Sequence, residues 1–121
     1  MKRIADKACM ILHQEGRICL FPSEPFLRII GKKYTILIIG LLGNEKTMSF
    51  NKIRKSIGNP RANLLSQRFK EMEELGLIER RVISTRPISV EYSLTEKGAR
   101  LRENLIPLFR WIEAVSSQYT N

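Results

Sequence analysis

From Ser49 to Gly76 the chain reads SFNKIRKSIGNPRANLLSQRFKEMEELG, two amphipathic segments separated by a short run of turn residues. This pair constrains the fold more than any other feature. Phe50, Ile53 and Ile57 make one stripe at helical spacing, with Ser49 as a good N-cap and Gly58 as the stop. Asn59 is then expected to cap a second helix and Pro60 to occupy its first position. Leu65, Phe69, Met72 and Leu75 form the buried face of that helix, and Gly76 ends it. Two helices joined by so short a turn are a helix-turn-helix.

The flanking segments extend the pattern. Residues 2–14 carry Ile4, Ala8, Ile11 and Leu12 on one face at helical spacing, with Gly16 beyond, and predict an N-terminal helix. "RICLF" then reads as an extended connector, and Pro25 opens the short helix "PFLRII". "KKYTILIIGLLG" is apolar nearly all round and predicts a central buried helix, followed by the turn "GNEKT". After Gly76, "LIERRVIS" and "ISVEYSLT" flank "TRP" and predict a β-hairpin. Thr95 caps a last helix with Glu96 in its first turn, and Pro107 is expected to kink or split it. A helix-turn-helix followed by a two-stranded hairpin is the winged-helix arrangement. The expected class is mostly α with a small β-hairpin wing (α+β). One domain is expected, with an N-terminal dimerisation arm over 1–21, a winged-helix core over 22–94 and a C-terminal dimerisation helix over 95–121.

Charge points to a partner. The net charge is +9 over 121 residues. From Ser49 to Lys70 lie Lys52, Arg54, Lys55, Arg61, Arg68 and Lys70 with no acidic residue, whereas Glu71, Glu73 and Glu74 follow at once. A helix ordinarily favours acidic residues at its front and basic ones at its back. The reversed order suits a helix whose front meets a polyanion and whose back points away from it. Opposite the apolar stripe lie Asn63, Ser66, Gln67 and Lys70. Amides can bond adenine at two points, Ser is adaptable, and Lys can bond guanine or a phosphate. The bland alternative is an ordinary polar surface. Arg86 at the hairpin turn, next to Pro87, can reach a phosphate or a narrow minor groove. The candidate double-stranded-DNA contacts are thus Ser49, Lys52, Lys55, Arg61, Asn63, Ser66, Gln67, Lys70 and Arg86.

The chain resembles the HxlR-type winged-helix transcription regulators, relatives of the MarR group. The matching blocks are "PFLRIIGKKYTILIIGLLG", "SFNKIRKSIG", "LLSQRFKEMEELGLIERRV", "RPISVEYSLTEKG" and "LFRWIE". The resemblance implies a DNA-binding homodimer, with "LLSQRFK" as recognition helix, Arg86 at the wing tip and "LTEKG" opening the dimer helix. The sequence departs from the family in two segments, before Pro22 and at "GKKY", which stands where the family has Gly-Gly-Lys-Trp. Phe21 stands where the family commonly has a cysteine before Pro22, and Tyr34 replaces the usual tryptophan. Cys19 lies two residues too early, so a redox switch does not carry over.

The ends of the chain also suggest dimerisation. Leu101, Leu105, Leu108, Ile112 and Val115 repeat at four-three-four-three spacing, more than one face of a small core requires. Pairing them, with Ile4, Ala8, Ile11 and Leu12, across a two-fold axis would bury both faces and call for a roughly palindromic site. An enzyme is not expected. The chain has one histidine and no Gly-rich phosphate loop, and its cysteines lack the neighbours of a metal site, so no cofactor or metal is expected. No segment approaches the ~20 apolar residues of a membrane span, so a cytoplasmic protein with reduced Cys9 and Cys19 is expected. Trp111 and Phe109 could line a pocket for an effector of unknown identity, against the plainer reading as core or dimer packing. A non-specific chromatin-like protein would explain the charge equally well, but not Asn63, Ser66 and Gln67. A winged helix used only for protein contacts would leave the segregated charge unexplained.

Overall fold

The computed structural model describes residues 8–21 and 24–117, the first three of them by backbone alone. The chain forms two compact units, residues 1–32 and 33–121.

In the first unit, the described part of the expected N-terminal helix, from Ala8 on, forms a strand instead. β1 (Ala8–His13) pairs antiparallel with β2 (Gly16–Leu20), matching Ile11 to Ile18, Leu12 to Arg17 and His13 to Gly16. The physical reason lies in two signals that helical spacing masks. The apolar run from Ala8 to Leu12 is continuous rather than periodic, and Gly16, instead of stopping a helix, adopts φ 127° at a tight turn. Ile11 and Leu12 therefore point to opposite faces instead of sharing a stripe. Both are exposed, as is Ile18. Ile4 lies outside the described residues. Cys19 is disulfide-bonded, which corrects the expectation of a reduced thiol. The unit ends with α1 (Pro25–Ile30), which has Pro25 in its first turn as expected.

The second unit holds α2 (Thr35–Leu42), β3 (Met48–Ser49), α3 (Phe50–Ser56), α4 (Ala62–Glu74), β4 (Ile78–Thr85), β5 (Ile88–Leu94) and α5 (Glu96–Ser116). Its sheet has the order β3-β5-β4, all antiparallel. The predicted hairpin is β4–β5; β3, two residues long, has no sequence signal of its own. The core gathers Ile38, Ile39 and Leu42 of α2, Ile53 of α3, and Leu65, Phe69 and Met72 of α4. Around Phe69, the Phe50 ring stands edge-on at 5.3 Å and the Tyr92 ring at 4.4 Å. One ring thus ties α4 to both α3 and β5. Burial of α2 is one-sided, because Leu37 is exposed.

α5 starts at the cap expected for it. The Thr95 hydroxyl accepts from Gly98 N–H at 3.0 Å and donates to the Gly76 carbonyl at 2.6 Å. Thr95 N–H donates to the Leu77 carbonyl at 3.1 Å. The same residue therefore caps α5 and pins it to the end of α4. α5 then runs unbroken through Pro107, so the expectation of a split fails. Pro107 itself is exposed, while Leu105 is buried and Phe109 packs on α2 at Gly40. Packing on both sides holds the helix across the missing N–H.

Candidate nucleic-acid interface

The helix-turn-helix is α3–α4, and its turn differs from expectation. Gly58 (φ 92°) and Asn59 (φ 55°) are both left-handed, and Pro60 is buried before the helix starts. Arg61 is the N-cap, and its side chain makes no capping bond. Asn59 therefore reverses the chain instead of capping; Gly and Asn are the residues that tolerate this conformation best. The turn is clamped from α3, where Arg54 Nε donates to the Pro60 carbonyl at 2.7 Å.

Beyond this clamp, α4 presents the face read from the sequence. Asn63, Ser66, Gln67 and Lys70 are exposed, at steps of three, one and three, opposite buried Leu65, Phe69 and Met72. Lys55 and Arg61 are also exposed. No hydrogen bond or ion pair among the described residues engages these six side chains, so all are available to a partner. Ser49 and Lys52 are placed differently. The Ser49 hydroxyl accepts from Lys52 N–H at 3.1 Å as the α3 cap, leaving its proton to donate. Lys52 Nζ pairs with Glu45 at 2.5 Å, both side chains being about half exposed. Such a surface pair contributes ~0–1 kcal/mol, so a phosphate can compete for the lysine. Arg86 is exposed at the β4–β5 turn, where its N–H donates to Ser84 Oγ at 3.3 Å.

Two arginines in the basic run serve the fold. Besides Arg54, Arg68 donates from Nε to the Lys33 carbonyl at 3.2 Å and pairs with Glu71 at 3.0 Å, with both side chains largely buried. The excess charge directed outward is therefore smaller than a count of the segment suggests. Arg80 and Arg81 are exposed on β4.

These placements make Arg54 a positioning residue. Arg54→Met should lower stability by ~1.5–3 kcal/mol, the range for a hydrogen bond involving a charged group. It should weaken DNA binding through the tilt of α4 while leaving the salt dependence unchanged, since counterion release tracks phosphate contacts. A shallower slope of log K against log salt would show instead that Arg54 reaches a phosphate.

Of the residues expected at a dimer face, Leu105 lies in the core of its own chain, at 7% exposure. Leu101 and Val115 are half-buried. Leu108 and Ile112 remain exposed, joined by Trp111 at 63%. Phe109, by contrast, is half-buried against α2.

Residues 29–120 match the family model described as HxlR-like helix-turn-helix. The HTH-type transcriptional regulator YdzF of Bacillus subtilis is 34% identical over 90 residues, 74% of this chain and 83% of that protein. YodB, an HTH-type transcriptional regulator of the same organism, is 31% identical over 90 residues, 74% of this chain and 80% of its own length. Among solved structures, a possible HxlR family transcriptional factor from Thermoplasma volcanium superposes with a TM-score of 0.81 at 40% identity, covering 92% of this chain and 98% of that one.

Proposed function

The chain belongs to the HxlR-like helix-turn-helix family of transcriptional regulators, which are not enzymes, and on that footing we propose that it is a sequence-specific, homodimeric DNA-binding regulator acting in the cytoplasm. The family carries DNA binding as such. The finer reading rests on one observation, the unengaged Asn63–Ser66–Gln67–Lys70 face of α4, with Arg61 exposed at its N-cap and Glu71, Glu73 and Glu74 at its back. Asn and Gln supply paired donor and acceptor atoms for base edges. Ser49, Lys52, Lys55, Arg61 and Arg86 supply phosphate or minor-groove contacts around them.

The test is selection of duplexes from a random pool, followed by binding of the selected and random duplexes at two salt concentrations. Specific binding should exceed random binding by roughly a thousandfold or more. Gln67→Ala should cost ~1–3 kcal/mol on the selected duplex and little on random DNA. Equal affinity for both pools returns the non-specific, chromatin-like reading.

Dimerisation is supported by exposed Leu108, Trp111 and Ile112 on α5 and by exposed Ile11 and Leu12 on the hairpin. An isolated two-stranded hairpin is marginal in water, so its apolar residues gain most from a partner surface. A two-fold pair of recognition helices about 34–36 Å apart reads a roughly palindromic operator. Leu108 is 41% exposed within one chain, so Leu108→Asp should leave the helical circular dichroism intact. In sedimentation it should shift a wild-type dimer toward monomer. A wild-type monomer at micromolar concentration would sink the dimer.

A further inference from the structure

A cavity of about 470 Å³ opens beside β4, β5 and the back end of α4. This volume lies within the range of small-molecule sites. Three cations, Lys46, Arg80 and Arg81, and three carboxylates, Glu73, Glu79 and Glu91, line it. Among the described residues, none of the six side chains lies within ion-pair distance of a carboxylate or cation. Both signs of charge therefore border one cavity, with Arg81 directly opposite Glu91 and Arg80 opposite Tyr92 in the β4–β5 register.

Tyr92 also lines it, and is 8% exposed. Its hydroxyl pKa is raised by burial and further by the Glu73 carboxylate, with Arg80 opposing through its charge and a side-chain hydrogen bond to Tyr92. A carboxylate and a guanidinium thus both act on one phenol oxygen. A ligand that satisfies both poles has a carboxylate for the arginine fork and an ammonium for the glutamate. Thr47 and Ser93 also line the cavity.

We propose that this cavity binds a free α-amino acid, its carboxylate on Arg80 and its ammonium on Glu73, across Tyr92. Occupancy is transmitted to the recognition helix by two routes already in place. The Tyr92 ring packs on Phe69 of α4 at 4.4 Å, and Glu73 lies one turn beyond Phe69 on the same helix. A ligand that moves Tyr92 or Glu73 therefore changes the seating of α4. The regulatory consequence rests on the DNA-binding reading above, whereas the binding itself does not.

The experiment titrates the full chain, without DNA, with each of the protein L-amino acids, following backbone amides by NMR. Acetate and methylammonium serve as probes of one pole each. At least one amino acid should bind at millimolar concentration or below, moving amides of Arg80 and Tyr92 and, through the packing, of Phe69. Arg80→Gln and Glu73→Gln, both at solvent-accessible positions, should each weaken that binding by about tenfold or more, and neither single-pole probe should match the amino acid. Absence of binding by every amino acid at millimolar concentration would overturn the proposal. So would binding that both variants retain. With DNA present, the bound amino acid should change DNA affinity by the same factor by which DNA changes its own. An unchanged DNA affinity at saturation would overturn the coupling. Amino-acid binding by a chain that shows no DNA binding would support the site and count against the regulator reading alone.

Discussion

Phe69→Ala should lower stability by ~3–5 kcal/mol, the range for removing a buried aromatic side chain. The site has little means of collapsing. Phe69 is 1% exposed, and it meets two rings edge-on, Phe50 from α3 and Tyr92 from β5. Each aromatic pair adds about 0.5–1.5 kcal/mol beyond its buried area. A domain of this size has roughly 5–15 kcal/mol in total, so the variant would retain only a fraction of it. Urea denaturation followed by circular dichroism measures the loss. Phe69→Leu, which keeps most of the volume, should cost less. A Phe69→Ala loss below about 1.5 kcal/mol, the level of a tolerated volume-conserving swap, would mean that the three-ring cluster does not hold α4.

Gly98→Ala should also destabilise, against the usual helix preference. In a helix interior Ala is favoured over Gly by about 1 kcal/mol. Here a β-carbon would overlap the Leu77 carbonyl oxygen and approach Leu94 Cδ2 at 3.1 Å. The carbonyl cannot readily swing aside, because it accepts the Thr95 N–H bond at the start of α5. Overpacking costs typically ~1–3 kcal/mol and more where backbone must move, so the overlap outweighs the propensity gain. The α4–α5 junction would open with it, and DNA binding should fall further than stability alone predicts. A thermal midpoint equal to or above that of the wild type is the result that rules this out.

Much of the second unit was legible in the sequence because its signals are local. Ser49 and Thr95 cap helices with hydroxyls that reach a backbone N–H three residues on, and Gly76 stops α4 at φ 75°. The stripe of Leu65, Phe69 and Met72 needs only helical periodicity, and the face opposite follows from it. The candidate base-reading residues were therefore available from spacing alone.

What the tertiary structure decided are choices between partners distant in sequence. The N-terminal apolar run satisfies a helix and a hairpin about equally in local spacing, and pairing with Gly16–Leu20 selects the strand. Six cations looked equivalent between Ser49 and Lys70. The fold then engages Arg68 with the Lys33 carbonyl, 35 residues away, and turns Arg54 onto Pro60. Likewise Arg102 donates to the Gly40 carbonyl, 62 residues away, and Phe109 packs against the same glycine. Of the apolar stripe on α5 this leaves Leu108 and Ile112 exposed, with Trp111 beside them. A sequence shows which side chains can bond; a guanidinium or an apolar face is taken up only when the folded chain brings a carbonyl or a surface within reach.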